Sequence, residues 1–252
     1  MCELKTEVTE VVPLSRRMFM CGTGVAAAAL AVGGMLTSNL AVGAEVKVPP
    51  KPENILSPDQ ALKRLMEGNA RYASGVMRRH DFASEQEQLI DGQNPYAAVL
   101  SCADSRVAPE YAFDTARGDL FVARVAGNLV NDDMLGSLEY AVAVLKVPMI
   151  LVLGHDKCGA VGAAVDIATK GAVFPGKIQS LAAAMLPAVN KVKGSAVNLL
   201  DAAIVQNVRD GMSHLREQSA IIEHAEKTAK LKIVGGVYRL ATGRVELLGL
   251  TG

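Results

Sequence analysis

Tryptophan is absent from the 252 residues, and Phe and Tyr number only five each. That leaves little surface for stacking against nucleobases or sugar rings. Neither sign of charge is in excess, with 26 Lys and Arg against 26 Asp and Glu. The balance removes any electrostatic case for nucleic acid or for an anionic membrane surface. Cysteine is scarce too. The four, at positions 2, 21, 102 and 158, are too few and too widely spaced for a disulfide scaffold. No internal repeat or low-complexity segment follows residue 44. Apolar residues, by contrast, are plentiful at 50%, enough for a sizeable core in one large domain or two small ones.

The first 44 residues differ from the rest. Ser15-Arg-Arg-Met-Phe-Met20 precedes an uncharged, Ala-, Val- and Gly-rich stretch from Gly22 to Ala44. Twin arginines before a mildly apolar segment resemble a Tat-type export signal. Its apolar core, Gly22 to Leu36, is shorter than the roughly 20 residues a membrane-spanning helix needs. Val42-Gly43-Ala44 offers small residues for cleavage. The expectation is a signal over 1–44, read by the Tat machinery, and a single domain over 45–252 in the periplasm or outside the cell. An uncleaved membrane anchor is the alternative. Cleavage removes Lys5, Arg16 and Arg17 with Glu3, Glu7 and Glu10, so the mature chain stays neutral. It also removes Cys2 and Cys21, leaving Cys102 and Cys158 as the only thiols.

In the mature chain, Glu45 to Asn54 contains three prolines and reads as an extended arm. Ser57-Pro-Asp-Gln60 opens a helix with a capping box, and Leu62, Leu65, Met66, Asn69 and Tyr72 continue one face. Arg78-Arg-His80 reads as a solvated turn, and Ser84 to Ile90 as a short helix. Apolar runs at 97–101, 120–125 and 149–153 read as strands, with 232–238 and 244–248 as a fourth and fifth. Helices are expected at 134–146, 158–169, 177–185, 198–218 and 219–230, with Pro187 breaking the pattern between two of them. Strands alternating with helices make an α/β domain, its mainly parallel sheet of four to five strands flanked by helices.

The chemistry sits where two strands end. Val99-Leu-Ser runs into Cys102-Ala-Asp-Ser-Arg106, and Leu151-Val-Leu-Gly into His155-Asp-Lys-Cys158. Sites in open α/β sheets form beyond the carboxyl ends of strands. A helix beginning at Cys158 favours a thiolate there through its N–H groups and dipole. Two Cys and one His with an open position form a catalytic zinc arrangement, and the soft donors favour zinc over magnesium or calcium. Asp104 either supplies a fourth ligand or, held by Arg106 in a carboxylate–guanidinium pair, orients a water beside the metal. Taken alone, each Cys could instead be an inert buried thiol and His155 a satisfied core histidine. Asp156 and Lys157 read as loop charges without a chemical role. His80, His214 and His224 read as surface histidines.

Cys102-Ala-Asp-Ser-Arg106 and His155-Asp-Lys-Cys-Gly159 resemble the two signature motifs of the β-class carbonic anhydrases. Phe113-Asp114, Gly118-Asp-Leu-Phe-Val122, Ala126-Gly-Asn128, Ser137-Leu-Glu-Tyr140, Val234-Gly-Gly-Val-Tyr238 and Thr242-Gly243 also fit the family pattern. The likeness runs from about Leu56 to Leu248. It implies one zinc ion per subunit on Cys102, His155 and Cys158, with Asp104 and Arg106 as a catalytic dyad, and the reversible hydration of carbon dioxide to bicarbonate. It implies that Gln93 orients the substrate, that Phe121 and Tyr140 wall its pocket, and that Gly159 belongs to the substrate site. Such pocket residues can come from a neighbouring subunit, so a homodimer or homotetramer is expected.

Three positions depart from the pattern. Ala103 stands where Ser is common, and Ala160 where a second Gly is common; both keep a small residue. Some members shut their site at low pH through a pocket built on a Trp just before the first Cys. Val99 stands there, so no such switch is expected, and Asp104 is expected to stay with Arg106. Two other functions remain open at this point: hydrolysis of carbonyl sulfide or carbon disulfide on the same fold, and a non-catalytic zinc protein.

Overall fold

A computed structural model describes residues 49–194 and 197–249. The export-signal reading of 1–44 lies outside the described residues. Among those described, no helix is long and apolar enough to cross a membrane.

A five-stranded sheet forms the centre, in the order β2-β1-β3-β4-β5. Its strands are β1 (Ala97–Ser101), β2 (Leu120–Arg124), β3 (Met149–His155), β4 (Lys232–Tyr238) and β5 (Val245–Leu247). The first four run parallel and β5 closes antiparallel to β4. Every residue of β1 and β3 is buried, as strands covered on both faces must be. Side chains alternate between the faces. Val99, Leu151 and Val234 pack on one side against Ala61 and Leu65 of α1 (Pro58–Ala73) and, with Ala112 of α3 (Pro109–Ala112), against Phe113. Leu100, Ile150 and Val152 pack on the other, against α4 (Asp132–Ala143), α8 (Leu199–Gln218) and α9 (Ala220–Lys227). Each fully buried Leu or Ile contributes roughly 1.5–3 kcal/mol of transfer free energy. α2 (Phe82–Leu89) adds a short, exposed turn of helix ahead of β1.

Local signals set the boundaries. The expected capping box forms: Gln60 N–H donates to Ser57 Oγ at 3.3 Å, and Ser57 N–H to Gln60 Oε1 at 2.8 Å. α4 begins two residues earlier than expected because Asn131 caps it, accepting from Met134 N–H at 3.0 Å. The 177–192 region holds two helices, α6 (Lys177–Ala183) and α7 (Leu186–Val192). The break falls just before Pro187, at Ala184–Met185, and Pro187 itself lies in the first turn of α7, where its missing N–H costs no helix bond. The arm before α1 is not simply extended. Pro52–Asn54 form a 3-10 turn, and the Lys51 ammonium is buried against the Asp119 carboxylate.

Gly154 does not end β3, which continues to His155, paired with Tyr238. A Cβ at Gly154 would lie 2.7 Å from Val208 Cγ2, so glycine is what lets α8 press onto the end of the strand. The site is set by that close packing. It lies beside a core formed by Val161 and Ala164 of α5 (Gly159–Lys170) with Val189 of α7 and Ile204 of α8.

Candidate metal centre

β1 and β3 are parallel neighbours, but the chain leaves β1 towards β2 on one side and β3 towards β4 on the other. Their following loops diverge and open a crevice at the carboxyl end of the sheet. Cys102 is the first residue beyond β1, His155 the last of β3, and Cys158 the N-cap of α5. All three are buried, and their donor atoms lie within 4.8 Å of one another. The two Sγ atoms are 4.0 Å apart. Two sulfurs about 2.3 Å from a tetrahedral zinc stand roughly 3.8 Å apart.

The imidazole is turned for the same purpose. His155 Nδ1 lies 2.8 Å from the carbonyl oxygen of Asp156. A carbonyl only accepts, so Nδ1 carries the hydrogen and Nε2 keeps its lone pair. Among the described residues, Nε2 is buried without a hydrogen-bond partner. An orphaned buried nitrogen is costly; a cation between Nε2 and the two sulfurs removes that cost. The residues therefore fit a metal ion, and two sulfurs with one nitrogen fit zinc.

Around the sulfurs, the backbone favours negative charge. Cys102 Sγ accepts from Gly127 N–H at 3.3 Å and from Asp104 N–H at 3.4 Å. The thiol of Cys102 is lowered to about 4, chiefly by its hydrogen bond with Cys158, against burial and with help from His155 and those two amides. Cys158 is raised by the same contact and by burial. Burial pushes the His155 imidazolium down, but the nearby Cys102 sulfur outweighs it and the net shift is upward. The trio thus gathers negative charge on sulfur, ready for a cation.

Asp104 and Arg106 stand at the edge of the trio. Arg106 Nε donates to Asp104 Oδ1 at 2.9 Å and Nη2 to Oδ2 at 2.7 Å, a two-point pair that the Arg106 N–H reinforces at 2.9 Å. The Arg106 hydrogen bonds hold the Asp104 carboxyl well below the usual carboxylate range, outweighing burial. Asp104 Oδ2 is 3.8 Å from His155 Nε2. The carboxylate is ionised, partly open to solvent and adjacent to the donor atoms, without being one of the three.

Other candidate residues lie elsewhere. Gln93 is exposed, before the amino end of β1, while Cys102 follows its carboxyl end. Five strand residues span about 16 Å, so Gln93 does not reach the trio of its own chain. Phe121 and Tyr140 pair with each other, ring centroids 6.4 Å apart, and Tyr140 is 48% exposed. Phe121 pairs with Ala98 in the sheet, about 10 Å short of the strand end marked by Arg124. Gly159 is the exposed first residue of α5, next to Cys158.

Three features were not evident beforehand. Arg124 closes β2 and has no carboxylate partner among the described residues. It donates to the carbonyl oxygens of Cys102 at 2.9 Å, Asp104 at 2.7 Å and Val107 at 2.7 Å, gripping the loop that carries the dyad. A lone cation ending an apolar strand was its signal in sequence. Asp156 is not an idle loop charge: its Oδ1 accepts from Leu240 N–H at 2.8 Å. His80 is not part of a solvated turn. Its ring lies between two carboxylates, 3.7 Å from Glu85 and 3.6 Å from Asp114.

A family model described as carbonic anhydrase matches residues 97–245. The carbonic anhydrase of Mycolicibacterium smegmatis is 39% identical over 192 residues, 76% of this chain and 93% of that protein. Carbonic anhydrase 2 of Mycobacterium tuberculosis is 38% identical over 192 residues, with the same coverage of 76% and 93%. Among solved structures, the Coccomyxa beta-carbonic anhydrase in complex with acetazolamide superposes with a TM-score of 0.57 at 30% identity, covering 74% of this chain and 86% of that one.

Proposed function

The chain belongs to the β-class carbonic anhydrase family, and from that premise we propose that it interconverts carbon dioxide and bicarbonate with one zinc ion held by Cys102, His155 and Cys158. The observation that carries the reading is the buried trio of donors, its unpartnered His155 Nε2 beside an ionised Asp104. Zinc, when bound, supplies a Lewis acid that makes hydroxide available from water near neutral pH. The protein does the rest. Asp104, kept ionised by Arg106, accepts a hydrogen bond from the reacting water and aims its free lone pair at the carbon of CO₂. Because Asp104 carries no proton, it cannot serve as a competing donor. Its partial exposure gives the released proton a way to bulk solvent.

The substrate pocket needs a second copy of the chain in this proposal. Gln93, Phe121 and Tyr140 lie away from their own metal centre but are exposed or half-buried at the other end of the sheet. There they can complete the site of a partner subunit, Gln93 donating its amide to substrate oxygen and the two rings excluding water. Gly159, without a side chain, leaves room for substrate beside Cys158. Sedimentation analysis of the zinc-loaded protein should give a dimer or tetramer, and a monomer with full activity would refute this part.

Export is proposed on sequence alone, from Arg16-Arg17 before the uncharged 22–44 stretch. Replacing both arginines by Lys should retain the enzyme in the cytoplasm on fractionation; unchanged export would refute it. The activity is tested by stopped-flow CO₂ hydration on protein of measured zinc content, beside sulfide release from carbonyl sulfide. Rapid CO₂ turnover at one zinc per chain is expected. Sulfide release without CO₂ turnover would transfer the same site to a different substrate, and no turnover of either would leave a zinc-binding protein without this chemistry.

A further inference from the structure

We propose that Asp156 is a positioning residue for the metal centre, acting through His155; the inference rests on the zinc reading above. Only Asp156 and Lys157 separate the ligands His155 and Cys158. That short loop has a difficult conformation, because Lys157 takes φ 53°, a left-handed value that a side chain disfavours. Such a turn keeps its shape only if its flanks are fixed.

Asp156 supplies the fixing at three atoms. Its N–H donates to Tyr238 O at 3.1 Å, continuing the pairing of β3 with β4. Its carboxylate Oδ1 accepts from Leu240 N–H at 2.8 Å, tying the loop to the turn between β4 and β5. Its carbonyl then faces His155 Nδ1 at 2.8 Å. The last contact decides which imidazole nitrogen is free for metal. It holds only while the peptide between Asp156 and Lys157 keeps its plane, and the carboxylate anchor prevents that plane from rotating.

The turn that receives the anchor is itself immobilised from α1. Asn69 Nδ2 donates to Gly243 O at 2.8 Å, Val245 N–H donates to Asn69 Oδ1 at 2.8 Å, and the hydroxyls of Tyr72 and Tyr238 meet at 3.0 Å. A connected line therefore runs from α1 through the β4–β5 turn and Asp156 to His155 Nε2.

The test compares Asp156→Ala, Asp156→Asn and Asp156→Glu with the wild-type chain. Zinc affinity is measured by competition with a chromophoric chelator, and the ligand field by the visible absorption of the cobalt(II)-substituted protein. Asp156→Ala should weaken zinc about 10–100-fold and change the cobalt bands, the usual scale for losing a group that orients a metal ligand. Asp156→Asn keeps an acceptor at the same reach and should stay within about threefold of wild type, with its spectrum. Asp156→Glu, a milder change if the Ala variant does not fold, displaces the acceptor by one methylene and should fall between them. Wild-type affinity and spectrum in Asp156→Ala or Asp156→Glu would overturn the proposal, as would an Asn variant as damaged as the Ala one. A wild-type chain that takes up no stoichiometric zinc would instead refute the zinc reading itself.

Discussion

Arg124→Ala removes a guanidinium that touches neither the metal donors nor the dyad side chains, yet it should cripple the site. Arg124 makes three hydrogen bonds, to the carbonyls of Cys102, Asp104 and Val107. Hydrogen bonds from a charged donor contribute about 1.5–3 kcal/mol each when shielded. Arg124 is exposed and water competes, so about 1 kcal/mol each, or ~3 kcal/mol for the loop, is the working figure. The freed carbonyls can turn to water, and the loop then no longer presents the Cys102 sulfur and the Asp104 carboxylate together. Zinc affinity should fall about 10–100-fold, as for other groups that support metal ligands. Turnover at saturating zinc should fall as well, because Asp104 is displaced even when the metal is present. Arg124→Lys, which can reach one carbonyl at a time, should recover only part of each. Chelator competition and stopped-flow CO₂ hydration measure the two effects separately. An Arg124→Ala enzyme within twofold of wild type in both would refute the claim that this arginine holds the loop.

Three further outcomes follow from the same structure. Asn69→Ala deletes hydrogen bonds to Ala112 O, Gly243 O and Val245 N and leaves the first and last of those groups buried, so unfolding free energy by urea denaturation should drop by about 3–5 kcal/mol; a loss below about 1 kcal/mol would contradict it. Asp104 is held below its ordinary range by Arg106, so the pair's stabilisation is full above the usual Asp value of about 3.9 and fades as pH falls below it. The gap in Tm between metal-free wild type and Arg106→Leu should thus be constant from pH 8 to about 5 and close below about 4, and a gap that widened on acidification would contradict this. Gly154→Ala places a Cβ 2.7 Å from Val208 Cγ2 and should lower stability by about 1–3 kcal/mol, with Val208→Ala restoring part of it; no loss of Tm would show that α8 packs less tightly than described.

The sheet was legible because its central strands obey the simplest rule. β1 and β3 are continuous apolar runs, buried throughout, and flanking Pro, Asp and Gly mark their approximate ends. Helix starts were legible where the capping side chain stands at the edge of the recognised pattern, as Ser57, Asn198 and Ser219 do; those of α2 and α4 were read two residues late because the caps, Asp81 and Asn131, stand further upstream. α3, four residues long, is too short for periodicity to register; core packing of Ala112 and Phe113 with Leu65 and the hydrogen bond from Asn69 Nδ2 to Ala112 O at 2.8 Å hold it. The cluster of Cys102, His155 and Cys158 was legible because two thiols and an imidazole at the ends of apolar strands are a set that could hold a metal ion. What supports them was not. Arg124 bonds to carbonyls 17 to 22 residues away, and Asp156 to an amide 84 residues away, and main-chain partners leave no trace in sequence pattern. Gln93, Phe121 and Tyr140 show the converse: the family resemblance implies a substrate site for them, but a single chain keeps them away from its own.

The central claim is that zinc on Cys102, His155 and Cys158, with Asp104 orienting the water, hydrates carbon dioxide. Stopped-flow CO₂ hydration by Asp104→Ala, with zinc measured on the same sample, tests it most directly. The account expects zinc near one per chain and kcat/KM lower by about 10²-fold or more, the scale for losing a positioned acid–base group. Unchanged turnover at full zinc would contradict it.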